Sequence, residues 1–237
     1  MDLTGRTVVV TGANRGLGRA LVDASLAAGA GQVLAGRRTA GGEDALPTGA
    51  RWLEIDIADA GSVARAADAA AGASVLINNA GVLDYAGPLE TTEEILARNL
   101  NTNLIGTWRT SLAFVPVIEA AGGGAIVNVL SFLSLVAAPI FAAYNASKAA
   151  SWSMAMSLRG ALADRDVKIV NAFPTTIDTA MVAALDKAKD TPEAVAGAII
   201  AGLAAGEEDI YPLGASDVFD AWRADQKAVE RRFAGIA

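Results

Sequence analysis

Apolar residues along the chain gather in short, nearly continuous β-branched runs separated by longer Ala-rich stretches. In Thr7-Val8-Val9-Val10, Val75-Leu76-Ile77 and Ile126-Val127-Asn128-Val129 the apolar positions do not alternate with polar ones, as expected of strands covered by helices on both faces. This spacing predicts strands near 6–11, 32–36, 51–56, 73–78, 124–130, 167–173 and 208–212. The intervening segments 16–29, 59–71, 92–121, 142–164 and 191–205 are predicted as helices, with Ala215–Arg232 as a last one. Such alternation makes parallel strands joined by crossover helices. The expected architecture is therefore α/β: one domain over 1–237, a doubly wound parallel sheet of about seven strands, with ligands at the carboxyl ends of the strands. The Gly/Pro-rich stretch Thr39–Gly49 reads as the connection after the second strand, and nothing reads as a linker or a repeat.

Composition narrows the chemistry. A chain of 237 residues can bury a large core around one sheet. Its formal charge of −7 and pI ≈ 4.7 argue against nucleic-acid and anionic-membrane partners, whose phosphates attract Lys and Arg patches. Without cysteine or histidine there is no disulfide, thiolate nucleophile or zinc site, and only carboxylates remain for a metal. Apolar stretches such as Val127–Ala143 are interrupted, here by Asn128, Ser131, Ser134 and Pro139, and fall short of the ~20 apolar residues of a membrane span. Met1–Arg6 runs into the first strand with no export pattern, so a cytoplasmic location is expected.

After the first predicted strand comes Thr11-Gly12-Ala13-Asn14-Arg15-Gly16-Leu17-Gly18. Glycines at a strand-to-helix turn let backbone approach a phosphate while the amides of the helix start point at it. A tight turn that merely needs glycine looks the same, and the spacing GxxxGxG is not the general dinucleotide pattern GxGxxG. Further along, NAD enzymes carry an acid for the ribose hydroxyls and NADP enzymes an Arg for the 2′-phosphate. Here Gly36 is followed by Arg37 and Arg38, no acid lies between Asp23 and Glu43, and Arg15 sits inside the glycine turn. Any single Arg is commonly a solvated loop charge, but three converging on one dianion favour NADP(H) over NAD(H). Asp56, ending the third strand, has two comparable readings. It accepts from an adenine amino group, with Ile57 flanking the ring, or it caps the next helix, a role for which Asp59 and Ser62 compete.

Two more motifs follow: Asn78-Asn79-Ala80-Gly81 after the fourth strand, and Tyr144-x-x-x-Lys148, whose side chains share one helix face. A YxxxK pair alone also fits a partly buried Tyr with a Lys extending to solvent. Together with Gly12-x-x-x-Gly16-x-Gly18, in this order and at this spacing from Thr7 to about Met181, these motifs resemble the short-chain dehydrogenase/reductases. The resemblance implies a Rossmann fold and a tetrad of Asn103 (in Asn103-Leu104-Ile105-Gly106-Thr107), Ser131, Tyr144 and Lys148. Asn99 and Asn101 lack the matching Leu-x-Gly context.

A ketone that accepts hydride becomes an alkoxide, so the site needs a proton donor beside that oxygen and a hydrogen bond to hold it. By the resemblance Tyr144 donates and Ser131 holds. Lys148 lowers the phenol, whose free pKa is about 10, and holds the nicotinamide ribose, while Asn103 positions a water that lets the proton be replaced. Other implied cofactor contacts are Gly12, Asn14, Arg15, Gly16, Leu17 and Gly18, then Asn79, Ala80 and Gly81, and finally Pro174, the Ile177 backbone at the carboxamide, and Thr179. Two positions depart from the family: Thr175 stands where Gly is usual, and Leu130 where a second Ser often precedes the catalytic one.

Leu83, Tyr85, Phe132, Leu133, Ile140, Thr175 and Met181 are expected to line an apolar cleft under a short lid, suited to an apolar or aromatic ketone, although each apolar one reads equally well as core. The family also implies a homotetramer or homodimer through 92–121 and 142–164, with Trp108, Phe114, Trp152 and Met156 as anchors. Two other readings compete. A non-catalytic NADP(H) sensor shares the fold but has no use for an intact tetrad, and a nucleotide-sugar epimerase needs a longer C-terminal substrate region. A P-loop phosphotransferase fails because no Gly-Lys-Ser/Thr follows the glycines.

Overall fold

A computed structural model describes residues 1–39 and 45–236; the middle of the predicted Thr39–Gly49 connection, 40–44, lies outside the described residues. Strands β1 (Thr7–Val10), β2 (Gln32–Arg37), β3 (Ala50–Glu54), β4 (Ala73–Asn78), β5 (Gly124–Val129), β6 (Val167–Ala172) and β7 (Asp209–Ile210) form one seven-stranded sheet in the order β3-β2-β1-β4-β5-β6-β7. Every neighbouring pair is parallel. The helices are α1 (Gly16–Ala27), α2 (Ala60–Ala69), α3 (Glu93–Asn99), α4 (Thr107–Ala120), α5 (Ala142–Ala161), α6 (Pro192–Ala205), α7 (Gly214–Ala224) and α8 (Gln226–Ala234). Among the described residues no helix is long and apolar enough to cross a membrane.

The continuous apolar runs are explained by burial of both sheet faces. Side chains alternate across a strand, so Val8 and Val10 of β1 pack with Val33, Ile77, Leu21 and Ile199 on the α1 and α6 side, while Val9 packs with Leu34, Leu76, Val63 and Phe114 on the α2 and α4 side. Each such side chain contributes roughly 1.5–3 kcal/mol when fully buried.

Local expectations were corrected at three places. The segment 92–121 is not one α-helix but α3, a π-helical turn over Leu100–Gly106, and α4. The wider turn is held from outside: the Asn103 amide exchanges two 2.9 Å bonds with the Val82 backbone, and Ser151 of α5 donates to the Asn103 carbonyl at 2.9 Å. The last predicted helix is two, because Asp225 is extended and its carboxylate caps α8 by accepting from the Ala228 amide at 2.9 Å. Of the expected interface anchors, Phe114 is wholly buried in the core and Trp152 packs edge-on against Phe173. The other two, Trp108 and Met156, are exposed on α4 and α5, together with Leu112 and Met154.

A row of polar side chains crosses the α4/α5 face of the sheet in register. Asn78 of β4 donates to Asn128 of β5 (3.0 Å), Asn128 to Asn171 of β6 (3.2 Å), and Asn171 to Asp209 of β7 (3.1 Å). Arg159 of α5 closes the row on Asp209 at 2.6 Å. These bonds brace the strand ends that carry Asn79, Ser131 and Pro174.

Candidate active site

β1 has β2 on one side and β4 on the other, so connections leave its two sides in opposite directions and a crevice opens beyond its carboxyl end. The glycine turn and Asn79–Gly81 form its walls, and Thr11 ties them together. Thr11 Oγ1 accepts from the amides of Asn79 and Ala80, both at 3.0 Å, and the Asn79 side chain donates back to the carbonyls of Thr11 (3.0 Å) and Gly12 (3.2 Å). The approach is so close that a Cβ on Gly12 would lie 2.9 Å from Ala80 Cα, and Gly12 has φ +65, which only glycine adopts freely. A Cβ on Gly18 would lie 2.1 Å from the Gly12 carbonyl oxygen.

Arg15 is the extended N-cap of α1, and no side chain caps the helix. The first-turn amides of Gly16, Leu17 and Gly18 therefore remain for an anion. Leu17 offers only its backbone, since its side chain is in the core, while Asn14 and Arg15 are exposed. Gly16 faces Thr179, whose methyl would be 3.2 Å from a Cβ there. Arg38 is exposed; Arg37 is half-buried, its guanidinium 4.1 Å above the centre of the Trp52 ring. The cap of α2 is Asp59, which accepts from the Ser62 amide, so the capping alternative for Asp56 is set aside. Asp56 accepts instead from the Ala58 amide at 2.9 Å, and Ile57 is buried beside it.

Tyr144 and Lys148 lie near the start of α5, both buried, with Lys148 Nζ 5.7 Å from the centre of the Tyr144 ring. Lys148 donates to the carbonyl of Val129, the last residue of β5, at 2.8 Å. Ser131, two residues on, accepts from the Leu133 amide at 3.1 Å and reaches the Tyr144 hydroxyl. Burial pushes the Tyr144 phenol up to about 12, with the Ser131 hydroxyl pulling against it. Burial also pushes the Lys148 ammonium down to about 8. At neutral pH the pair is thus a neutral phenol beside an ammonium, a proton donor in wait.

Asn103 is buried in the π turn and donates to Ser147 at 2.8 Å, which in turn donates to the Tyr144 carbonyl at 2.8 Å. A Cβ on Gly81 would stand 3.1 Å from Asn103 Oδ1 and 3.9 Å from Lys148 Nζ, so the Asn79–Gly81 turn leaves room for no side chain between it and Asn103 and passes near Lys148. Ser147 and Ser151 escaped the sequence reading. Their signal was available, three and seven residues after Tyr144 on the same helix face.

From β6 the chain runs through Pro174, whose carbonyl accepts from the Phe132 amide at 2.9 Å, to Thr175 and to Ile177, which bridges to Asp190. Leu83, Leu133 and Thr175 are half-buried, while Ile140 and Met181 are exposed. Tyr85 donates to the Met181 carbonyl at 3.3 Å, and its ring meets that of Phe141 edge to face. Phe132, expected in the cleft, is turned away from it. Its ring is buried with Val229 and stacked on Phe233 of α8, 5.7 Å between centres.

The arrangement offers orphan amides and cations for phosphates at one end and a buried acid pair at the other, a fit for an extended dinucleotide. The sequence matches the family model for short chain dehydrogenases over residues 6–190. It is 33% identical over 185 residues to carbonyl reductase [NADPH] 2 of Sus scrofa, covering 76% of this chain and 75% of that one. It is 30% identical over 204 residues to the NADP-dependent (R)-specific alcohol dehydrogenase of Lentilactobacillus kefiri, with 79% of each covered. A crystal structure of a short chain dehydrogenase from Burkholderia cenocepacia in complex with NADP superposes with a TM-score of 0.92 at 35% identity, covering 98% of this chain and 99% of the other. By fold, motif order and these likenesses, the chain belongs to the short-chain dehydrogenase/reductase family of oxidoreductases.

Proposed function

We propose that the chain, working as one unit over 1–237 in the cytoplasm, is an NADP(H)-dependent oxidoreductase that interconverts an apolar or aromatic ketone and its secondary alcohol. The observation that carries this reading is the joint burial of Tyr144 and Lys148 beside Ser131, at the carboxyl ends of the strands, where the glycine turn also lies. The amides of Gly16–Gly18, with Gly12, Asn14 and Thr179, hold the pyrophosphate, and Arg15, Arg37 and Arg38 the 2′-phosphate. Asp56 and Ile57 hold the adenine, Lys148 the ribose, and Asn79, Ala80, Gly81, Pro174 and Ile177 the nicotinamide end. Leu83, Leu133, Ile140, Thr175 and Met181 bound the substrate.

When bound, the nicotinamide supplies hydride for reduction or takes it in oxidation. Ser131 donates a hydrogen bond to the substrate oxygen and keeps it in place, and Tyr144 gives that oxygen its proton as negative charge grows. A phenol raised by burial is fully protonated at neutral pH and ready for this direction. In the reverse direction Tyr144 acts as phenolate, which the Lys148 ammonium stabilises. Asn103, locked to Val82, Ser147 and Ser151, keeps the segment behind Lys148 in register for return of the proton.

The chain assembles as a homotetramer or homodimer through α4 and α5, whose exposed Trp108, Leu112, Met154 and Met156 supply apolar contact. A monomer mass by light scattering would overturn this part. The function itself is tested by titrating the purified protein with NADPH and NADH, following nicotinamide fluorescence, and then adding a panel of apolar ketones. Tighter NADPH binding with ketone-dependent oxidation is expected; tight binding without oxidation would leave a cofactor sensor, and preference for NADH would remove the role of the arginines.

A further inference from the structure

The turn after β3 is held by two kinds of bond. Within it, Asp56 accepts from the Ala58 amide, Ser62 accepts from the Asp56 amide at 2.9 Å, and the Asp59 amide donates to the Asp56 carbonyl at 3.1 Å. From outside comes one more: Arg109 of α4 donates to the Ile57 carbonyl at 2.7 Å, across 52 residues of sequence. Arg109 is half-buried and forms no ion pair among the described residues. Its guanidinium is directed instead at one backbone oxygen.

A second contact reaches the same residue. Gly106, the last residue of the π turn, lies so close that a Cβ on it would be 3.0 Å from both the carbonyl oxygen and Cγ1 of Ile57. The helix that carries Asn103 at one point therefore buttresses Ile57 three residues later, with Gly106 setting the depth of Ile57 and Arg109 the direction of its carbonyl.

We propose that Arg109, seated by Gly106, is a positioning residue for the adenine half of the cofactor, acting through the Ile57 carbonyl to hold the Asp56–Asp59 turn in its binding shape. It touches no reacting atom and does not define the nucleotide site; it rests on the reading of Asp56 and Ile57 as the adenine contacts. Losing the bond leaves the Ile57 carbonyl buried and unpaired and lets the turn relax.

The test compares three probes on the intact protein: NADPH, adenosine 2′,5′-bisphosphate, which carries the adenine half alone, and reduced nicotinamide mononucleotide, which lacks it. In Arg109→Met, the Kd values for NADPH and for the bisphosphate are expected to rise by the same factor, about tenfold for one lost charge-assisted bond, with the mononucleotide unchanged. Arg109→Lys should recover most of the loss, and Gly106→Ala, which pushes on Ile57 from the other side, should show the same selectivity. Equal weakening of all three probes would mean a general support of the fold and would overturn the proposal, as would no change in any. A wild-type protein that binds neither NADPH nor the bisphosphate would overturn the nucleotide reading itself, an outcome visible before any variant is made.

Discussion

The guanidinium of Arg37 lies over the indole of Trp52, 4.1 Å from the ring centre. The β2–β3 register pairs Ala35 with Trp52, so Arg37, two residues on, emerges on the same sheet face and reaches back over the ring. Such a contact contributes roughly 0.5–1 kcal/mol at a half-exposed site and fixes a side chain that otherwise loses rotamer freedom on binding. Trp52→Ala should raise the Kd for NADPH about threefold while leaving NADH unchanged. Equal weakening of both cofactors in fluorescence titrations would assign Trp52 to the fold alone.

Tyr144→Phe removes the donor hydroxyl from a buried ring that packs the same way without it. Ketone turnover should fall by about 10²–10⁴ or more, with NADPH affinity within about twofold of wild type by fluorescence titration. Substantial remaining turnover would refute the proton-transfer role.

Lys148 links stability to pH. Its folded pKa is lowered from 10.5 to about 8, so the penalty of burying its charge is fully present below pH 8. Between 8 and 10.5 the unfolded chain holds a proton that the folded protein has released, and stability rises with pH. Lys148→Met has no such proton. Urea midpoints of wild type and variant measured at pH 7 and pH 10 should shift relative to each other in favour of wild type at the higher pH. A constant difference would show that Lys148 keeps an ordinary pKa.

The in-register polar row predicts a large cost for a small change. Asn128 donates to Asn171 and accepts from Asn78, all three buried. Asn128→Ala leaves two partners short of a bond and should destabilise by about 2–4 kcal/mol in urea unfolding. A loss under about 1 kcal/mol would mean that the row does not brace the strand ends.

Leu213 is the one non-glycine among the described residues with positive φ, at +53, in the turn where the Ala215 amide donates to the Pro212 carbonyl. A Cβ is disfavoured there. Leu213→Gly should stabilise by roughly 0.5–1 kcal/mol after the entropy of a freer unfolded chain is subtracted, read as a higher thermal midpoint. A lower midpoint would mean that the leucine side chain makes contacts worth more than the strain.

What could be read from the chain alone depended on short-range periodicity. Unbroken apolar runs located the strands, because burial on both sheet faces demands them, and the longer Ala-rich stretches between them located the principal helices. The glycine turn and the Tyr144/Lys148 face were legible for the same reason, since each is a relation between residues at most a few positions apart. Where two local readings were open, as for Asp56 against Asp59, the sequence held both and the folded turn chose, with Asp59 on the Ser62 amide and Asp56 on that of Ala58.

Tertiary structure alone decided the partners of polar groups and the direction of side chains at chain turns. Thr11 with Asn79, Asn78 with Asn128 and Asn171, and Arg109 with Ile57 lie tens of residues apart, and nothing local distinguishes them from other buried or exposed polar residues. The π turn at Asn103 also depends on such distant partners, Val82, Ser147 and Ser151, which hold its wider hydrogen-bonding pattern. Phe132 follows Ser131 yet turns under α8, because an apolar ring goes where the most surface is buried, and that surface comes from Val229 and Phe233 about a hundred residues later. Periodicity carries which face of an element is apolar; only the packed chain determines which distant group meets it there.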